Sequence, residues 1–296
     1  MTLYAPADIA IGHSLLYLNY AYVAVTVAWV YDYIITFDDE LEFLRKSRWG
    51  TFKILYLLCR YLPFALLAAD TYQVLQPALP LSQCGIYFDL NSYLAGITLV
   101  AAECMFILRT YSIWGRSGEI LIILMGSLAA ILVPVIYVIT SFNSSMIISE
   151  PPIPNITSCY NVSESKVIVV AYVLLVVGEL EILLFTVYRS INHYQSLGGD
   201  NPLLKILIQH NIFYFACGLA FSLTVILTLG FLPDVYGDMT SNLQVMIHAL
   251  LVTRMHLRLW KSDRARKFLL DDIPLAIVYP APGNQDADHV LYIAPT

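Results

Sequence analysis

The chain has 296 residues, 58% of them hydrophobic and 13% charged, with mean hydropathy +0.69 and a formal net charge of −6. A soluble domain carries about 25% charged residues, so this apolar excess rules out one globular core in water and points to a bilayer as the solvent. No basic domain is present, which argues against nucleic-acid binding.

A spanning helix needs about 20 largely apolar residues, because the hydrocarbon core is about 30 Å thick. Seven runs meet that length, at about 12–34, 51–73, 89–110, 119–140, 167–188, 207–230 and 239–257. They predict an all-α, polytopic bundle of seven transmembrane helices over residues 1–270. The residues before the first run lack a basic n-region, so that run is expected to act as an uncleaved anchor. Its tyrosines, Tyr17, Tyr20, Tyr22, Tyr31 and Tyr33, read as interface anchors or as the lining of a ligand site.

Between the first and second runs lies YDYIITFDDELEFLRKSRWG, with Asp38, Asp39, Glu40 and Glu42 ahead of Arg45, Lys46 and Arg48. It reads as a cytosolic loop in which Thr36 or Asp38 caps a short helix and the acids pair with the following cations. The second run contains Arg60, Pro63 and, near its outer end, Asp70; the third contains Glu103, and the fifth Glu179 and Glu181. A charge at a span centre costs roughly 2.5–3.5 kcal/mol and normally turns into the bundle. Arg60 is therefore expected to pair with Glu103 or Glu179 in a buried polar network, either a switch or a static bridge. Pro63 and Pro134 interrupt helical hydrogen bonding within the second and fourth runs.

Of the sixteen lysines and arginines, fourteen fall on one side of the predicted spans. Only Lys166 falls on the other, and Arg60 lies within a span. The positive-inside rule then places the N-terminus outside and the C-terminus in the cytosol. The outer loop 141–166 holds three N-glycosylation sequons, at Asn143, Asn155 and Asn161. Cys84 and Cys159 are the cysteines in outer loops, and an oxidising compartment favours a disulfide between them. These features suit the plasma membrane or another membrane of the secretory pathway. The segment after the seventh run, RMHLRLWKSDRARKFLL, alternates cations with apolar residues and is expected to form a basic amphipathic helix on the inner leaflet. Residues 271–296 show no core pattern and are expected to form a disordered cytosolic tail.

At YDYIITFDDELEFL, followed by RWGTFKILYLLCRYLPF, the sequence resembles a seven-span family of unknown function found in basidiomycete fungi. The shared pattern is Y-D-Y-x-x-T-F-x-x-E, a basic-Trp turn and an N-R-Y-L-P-like segment, here Cys59-Arg60-Tyr61-Leu62-Pro63. LRTYSIWGR and TRMHLRLWK also look like family features. The resemblance implies a multi-pass membrane protein and carries no activity, cofactor or catalytic residue with it.

Several chemistries lack their residues. The histidines are scattered, with no HExxH and no paired CxxC, so no metal site and no metalloenzyme is expected. No GxSxG and no P-loop occurs, and no lysine stands in the seventh run for a retinal Schiff base. The expectation is a non-enzymatic protein without a cofactor. One reading is a G-protein-coupled-receptor-like sensor of a small external ligand, with Arg109, Tyr111, Arg189 and Lys205 contacting a cytosolic G protein. This is analogy of architecture; the Asn-Pro-x-x-Tyr and Cys-Trp-x-Pro hallmarks of such receptors are missing. The alternative is a transporter or lipid-handling protein that uses Arg60, Glu103 and Glu179.

Overall fold

The computed structural model describes residues 5–76, 79–154, 156–157, 159–163, 166–196 and 202–271. Seven helices follow in chain order: α1 (Pro6–Lys46), α2 (Thr51–Leu75), α3 (Leu81–Ile113), α4 (Gly118–Ser145), α5 (Ile168–Ser196), α6 (Pro202–Phe231) and α7 (Asp234–Asp271). Between α4 and α5 a short antiparallel pair, β1 (Ile147–Ser149) and β2 (Tyr160–Ser163), sets Ile148 opposite Asn161 and Ser149 opposite Tyr160. Residues Met1–Leu257 form one compact unit and Arg258–Thr296 a second.

Among the described residues, six helices are long and apolar enough to cross a membrane: α1 to α4, Ile168–Asn192 of α5 and Ile212–Phe231 of α6. The fold is that of an all-helical, multi-pass membrane protein. Helix α7 has the length but not the hydropathy. Its polar side chains explain the shortfall, because Gln244, His248, Thr253 and His256 are all buried inside the first unit. Helix α4 is the opposite case. It is strongly apolar and turns Ile122, Val133 and Tyr137 outward, each more than 70% exposed. A helix facing lipid must be apolar outside, whereas a helix enclosed by others can carry polar groups that find partners.

Helix α1 starts with Pro6 at its first turn, where a missing N–H costs nothing, and Asp8 accepts a hydrogen bond from the Ala5 N–H at 3.3 Å. It then runs 41 residues without a break. The acidic stretch expected to be a cytosolic loop is therefore the last third of this helix. No Gly or Pro interrupts Tyr31–Lys46, and Thr36 bonds back to the Asp32 carbonyl at 2.7 Å rather than capping a new helix. The expected pairing of acids with following cations is seen at helical spacing between Lys46 Nζ and Glu42 Oε1 at 2.7 Å. It is exposed and worth only tenths of a kcal/mol.

One end of the first unit is tied by the hairpin segment. Cys84 at the start of α3 is joined by a disulfide to Cys159, with 6.4 Å between the Cα atoms. Gln73 Nε2 donates to the Cys159 carbonyl at 3.3 Å, and Asn19 Nδ2 donates to the Ile156 carbonyl at 2.7 Å. Ile153 lies so close to Gly12 that a Cβ there would stand 2.7 Å from Ile153 Cδ1. At the opposite end, the α3–α4 turn places Gly115 at φ +66° and Arg116 at φ +63°, so the left-handed backbone favours glycine at the first of these positions. Between the two ends, Trp29, Leu66, Leu67, Val245, Met246 and Ala249 join α1, α2 and α7 in a buried apolar cluster.

Candidate functional site

Among the described residues, two buried polar clusters and a cavity lie among these helices. The first is centred on Arg60 of α2. Asp32, Thr36 and Glu40 stand four residues apart on α1 and so share one face. Arg60 Nη1 donates to Asp32 Oδ2 at 2.7 Å, Nε to Glu40 Oε2 at 3.0 Å, and Nη2 to the Thr36 hydroxyl. Tyr61 donates to Glu40 Oε1 at 2.8 Å, and Arg254 Nε to Asp32 Oδ1 at 2.6 Å. Every oxygen of both carboxylates thus has a donor, and two guanidinium groups balance two carboxylates. The Arg60 guanidinium also lies 5.2 Å from the centre of the Tyr33 ring. Arg60, Asp32 and Glu40 are all buried. The expected pairing of Arg60 with Glu103 or Glu179 is replaced by this one, because α1 extends far enough to bring its own acids alongside α2.

The second assembly holds the two glutamates that were expected to meet Arg60. His248 Nε2 of α7 lies 3.2 Å from Glu103 Oε1 of α3 and 3.1 Å from Glu179 Oε1 of α5. Ser222 of α6 donates to Glu179 Oε1 at 2.6 Å and accepts from Gln244 Nε2 at 2.6 Å. Gly218 leaves room for the imidazole, since a Cβ there would stand 3.1 Å from His248 Cε1. All of these side chains are buried, yet His248 Nδ1, Glu179 Oε2 and Gln244 Oε1 have no hydrogen-bond partner.

The third is a cavity of about 210 Å³ near the hairpin end, to which all seven helices contribute side chains. Its walls are mainly apolar, including Leu99, Leu132 and Tyr172, and Glu103 belongs to its lining. Asp70 and Asn91 also face it; Asn91 Nδ2 donates to Asp70 Oδ1, while Asp70 Oδ2 and Asn91 Oδ1 are buried without partners. The Asp70 side chain is enclosed between α2 and α3.

The residues expected to contact a cytosolic partner lie toward the end opposite the hairpin. Arg109 is half-buried, with Nη2 2.6 Å from His256 Nδ1 and its guanidinium 5.4 Å from the centre of the Phe52 ring. Arg189 lies over the Trp114 ring at 5.3 Å, and Tyr111 is half-buried. The Lys205 side chain and Asn155 lie outside the described residues. Of the other sequons, Asn161 lies in β2, whereas Asn143 falls in the last turn of α4 with both amide atoms buried. The Asn143 placement differs from the surface loop that a glycan acceptor needs.

These features define a multi-pass helical membrane protein with a buried polar interior and a cavity at one end. Residues 20–65 match a family of unknown function, DUF6533. No curated protein and no solved structure matches the chain. The matched segment contains Asp32, Thr36, Glu40, Arg60 and Tyr61, all of the Arg60 cluster but Arg254, and leaves out Glu103, Glu179 and His248.

Sequence reasoning did not find His248, Ser222, Gln244 or Asn91 as members of these groups. Their signal in the sequence is only that each polar residue interrupts a predicted span or its margin. Glu103 and His248 are 145 positions apart, which no local spacing rule can join.

Proposed function

We propose that the chain is a seven-helix receptor for a small amphiphilic ligand, with the hairpin end outside and the opposite end in the cytosol. The observation that carries this reading is the cavity to which all seven helices contribute, because movement of a ligand inside it acts on every helix at once. Its apolar walls suit an apolar ligand body. The unpartnered Asp70 Oδ2 and Asn91 Oδ1 suit a hydrogen-bond donor or ammonium group on that ligand. The orientation rests on the fourteen cations on one side and on the disulfide-tied hairpin on the other. Helix α7 serves as the seventh span, its polar groups turned inward. The resident membrane is the plasma membrane or another membrane of the secretory pathway, and the protein performs no catalysis.

The cytosolic partner in this reading is a Gα subunit. It reaches Arg109 by displacing His256, with which Arg109 is paired in this structure. The test is cross-linking of the tagged protein in its native cells, followed by extraction in mild detergent. Recovery of Gα, lost on Arg109→Ala, supports the receptor. Clean recovery without Gα, from cells where Gα is plentiful, overturns it and favours lipid handling. That alternative draws on the same apolar cavity. It no longer draws on a path from Arg60 to Glu103, since these residues belong to separate clusters.

A further inference from the structure

We propose that Glu103, Glu179 and His248 form a buried site for a divalent transition-metal ion of the zinc type. The proposal is independent of the receptor reading. One donor atom from each of the three residues lies within 4.8 Å of the others, and all three side chains are buried.

Hydrogen-bond arithmetic argues that the trio alone is incomplete. A neutral imidazole has one N–H, and a single Nε2–H cannot satisfy two carboxylates. A doubly protonated ring would place its second proton on Nδ1, which has no acceptor. With both glutamates ionised, even that form leaves the trio with a net negative charge, in a place where uncompensated charge is expensive. Glu179 Oε2 and Gln244 Oε1 are further buried acceptors without donors. The group thus offers acceptors and lone pairs in excess and lacks a cation. The Arg60 cluster, with each carboxylate oxygen bonded, shows what a completed set looks like in the same molecule.

Geometry and chemistry fit a metal. Zinc holds nitrogen and oxygen ligands at about 2.0–2.2 Å, which places tetrahedral neighbours about 3.3 Å apart. The separations from His248 Nε2 are 3.2 Å and 3.1 Å. One imidazole with two carboxylates is a borderline donor set that suits zinc and its neighbours over calcium or magnesium. Ser222, donating to Glu179, and Gln244, bonded to Ser222, are the outer partners that orient such a ligand. Glu103 lines the large cavity as well as the small space beside His248. Three protein donors leave a fourth position for water.

The test uses the full chain purified in detergent, stripped with chelator and then given Zn²⁺ alone. Expected is one tightly held zinc per chain after gel filtration, measured by elemental mass spectrometry, with a raised melting temperature. His248→Ala, Glu103→Gln and Glu179→Gln each abolish both effects, while Ser222→Ala weakens binding by about tenfold. His13→Ala, at an exposed histidine, leaves both unchanged. Should His248→Ala fail to fold, the two isosteric glutamine variants decide the matter. A wild-type chain that retains no zinc overturns the proposal. So do Glu103→Gln and Glu179→Gln variants that retain it as the wild type does.

Discussion

The clusters at Arg60 and at His248 are both buried and both built from two carboxylates, yet they are finished to different degrees. Around Arg60, two guanidinium groups, a tyrosine and a threonine meet Asp32 and Glu40, and each carboxylate oxygen has a donor. Around His248, one imidazole faces Glu103 and Glu179, and three buried polar atoms remain unpartnered. A completed ion network holds helices together and resists change. An incomplete one stores a demand for a cation, and that demand makes a site out of what would otherwise be structure. The difference teaches that burial of charge alone does not distinguish the two roles, whereas the balance of donors and acceptors does.

Removal of the cation from the completed cluster should have the largest effect. Arg60→Leu strands Asp32 and Glu40 in the interior and is expected to cost about 3–5 kcal/mol. It should show as loss of monodisperse protein in detergent or as a collapse of the thermal transition. Asp32→Asn comes next. It weakens charged hydrogen bonds to Arg60 and Arg254 while keeping the shape, for an expected loss of about 1.5–3 kcal/mol by thermal unfolding. In the other cluster the same carboxylate-to-amide change should have the opposite sign. In metal-stripped protein, Glu179→Gln removes a surplus buried charge and is expected to raise stability by about 1–2 kcal/mol. A fall instead would show that the cluster is already complete without an ion. The smallest effect is expected from Gly218→Ala. Its methyl meets the imidazole at about 3.1 Å, so the ring must shift by tenths of an ångström. Stability should change by less than about 1 kcal/mol, while zinc affinity falls measurably in calorimetry.

The same contrast explains what was legible in the sequence. Asp32, Thr36, Glu40 and Arg60 sit in one contiguous stretch whose pattern can be recognised, even though the first run is expected to end at about residue 34, before Glu40. A run of charges such as Asp38 to Glu42 reads as a solvated loop. Helical spacing of four residues, with no Gly or Pro between, was the better signal. Six of the seven runs carry a strong apolar signal because facing lipid requires apolar side chains, as in α4. Helix α7 was the faintest, since an enclosed helix escapes that requirement. The His248 cluster was illegible for a related reason: α3, α5, α6 and α7 each supply residues, and only the packing of the bundle brings them together.

Helix α1 has one more consequence. At 1.5 Å per residue its 41 residues span about 60 Å, roughly twice the hydrocarbon thickness. Ile153 bears on it at Gly12, and the Arg60 clamp grips it at Asp32 and Glu40. Such a strut converts a small lean at one surface into a sideways sweep at the other, scaled by the lengths on either side of its pivot. Leverage of this kind needs no chain of side-chain rearrangements, only a rod that stays whole between the two grips.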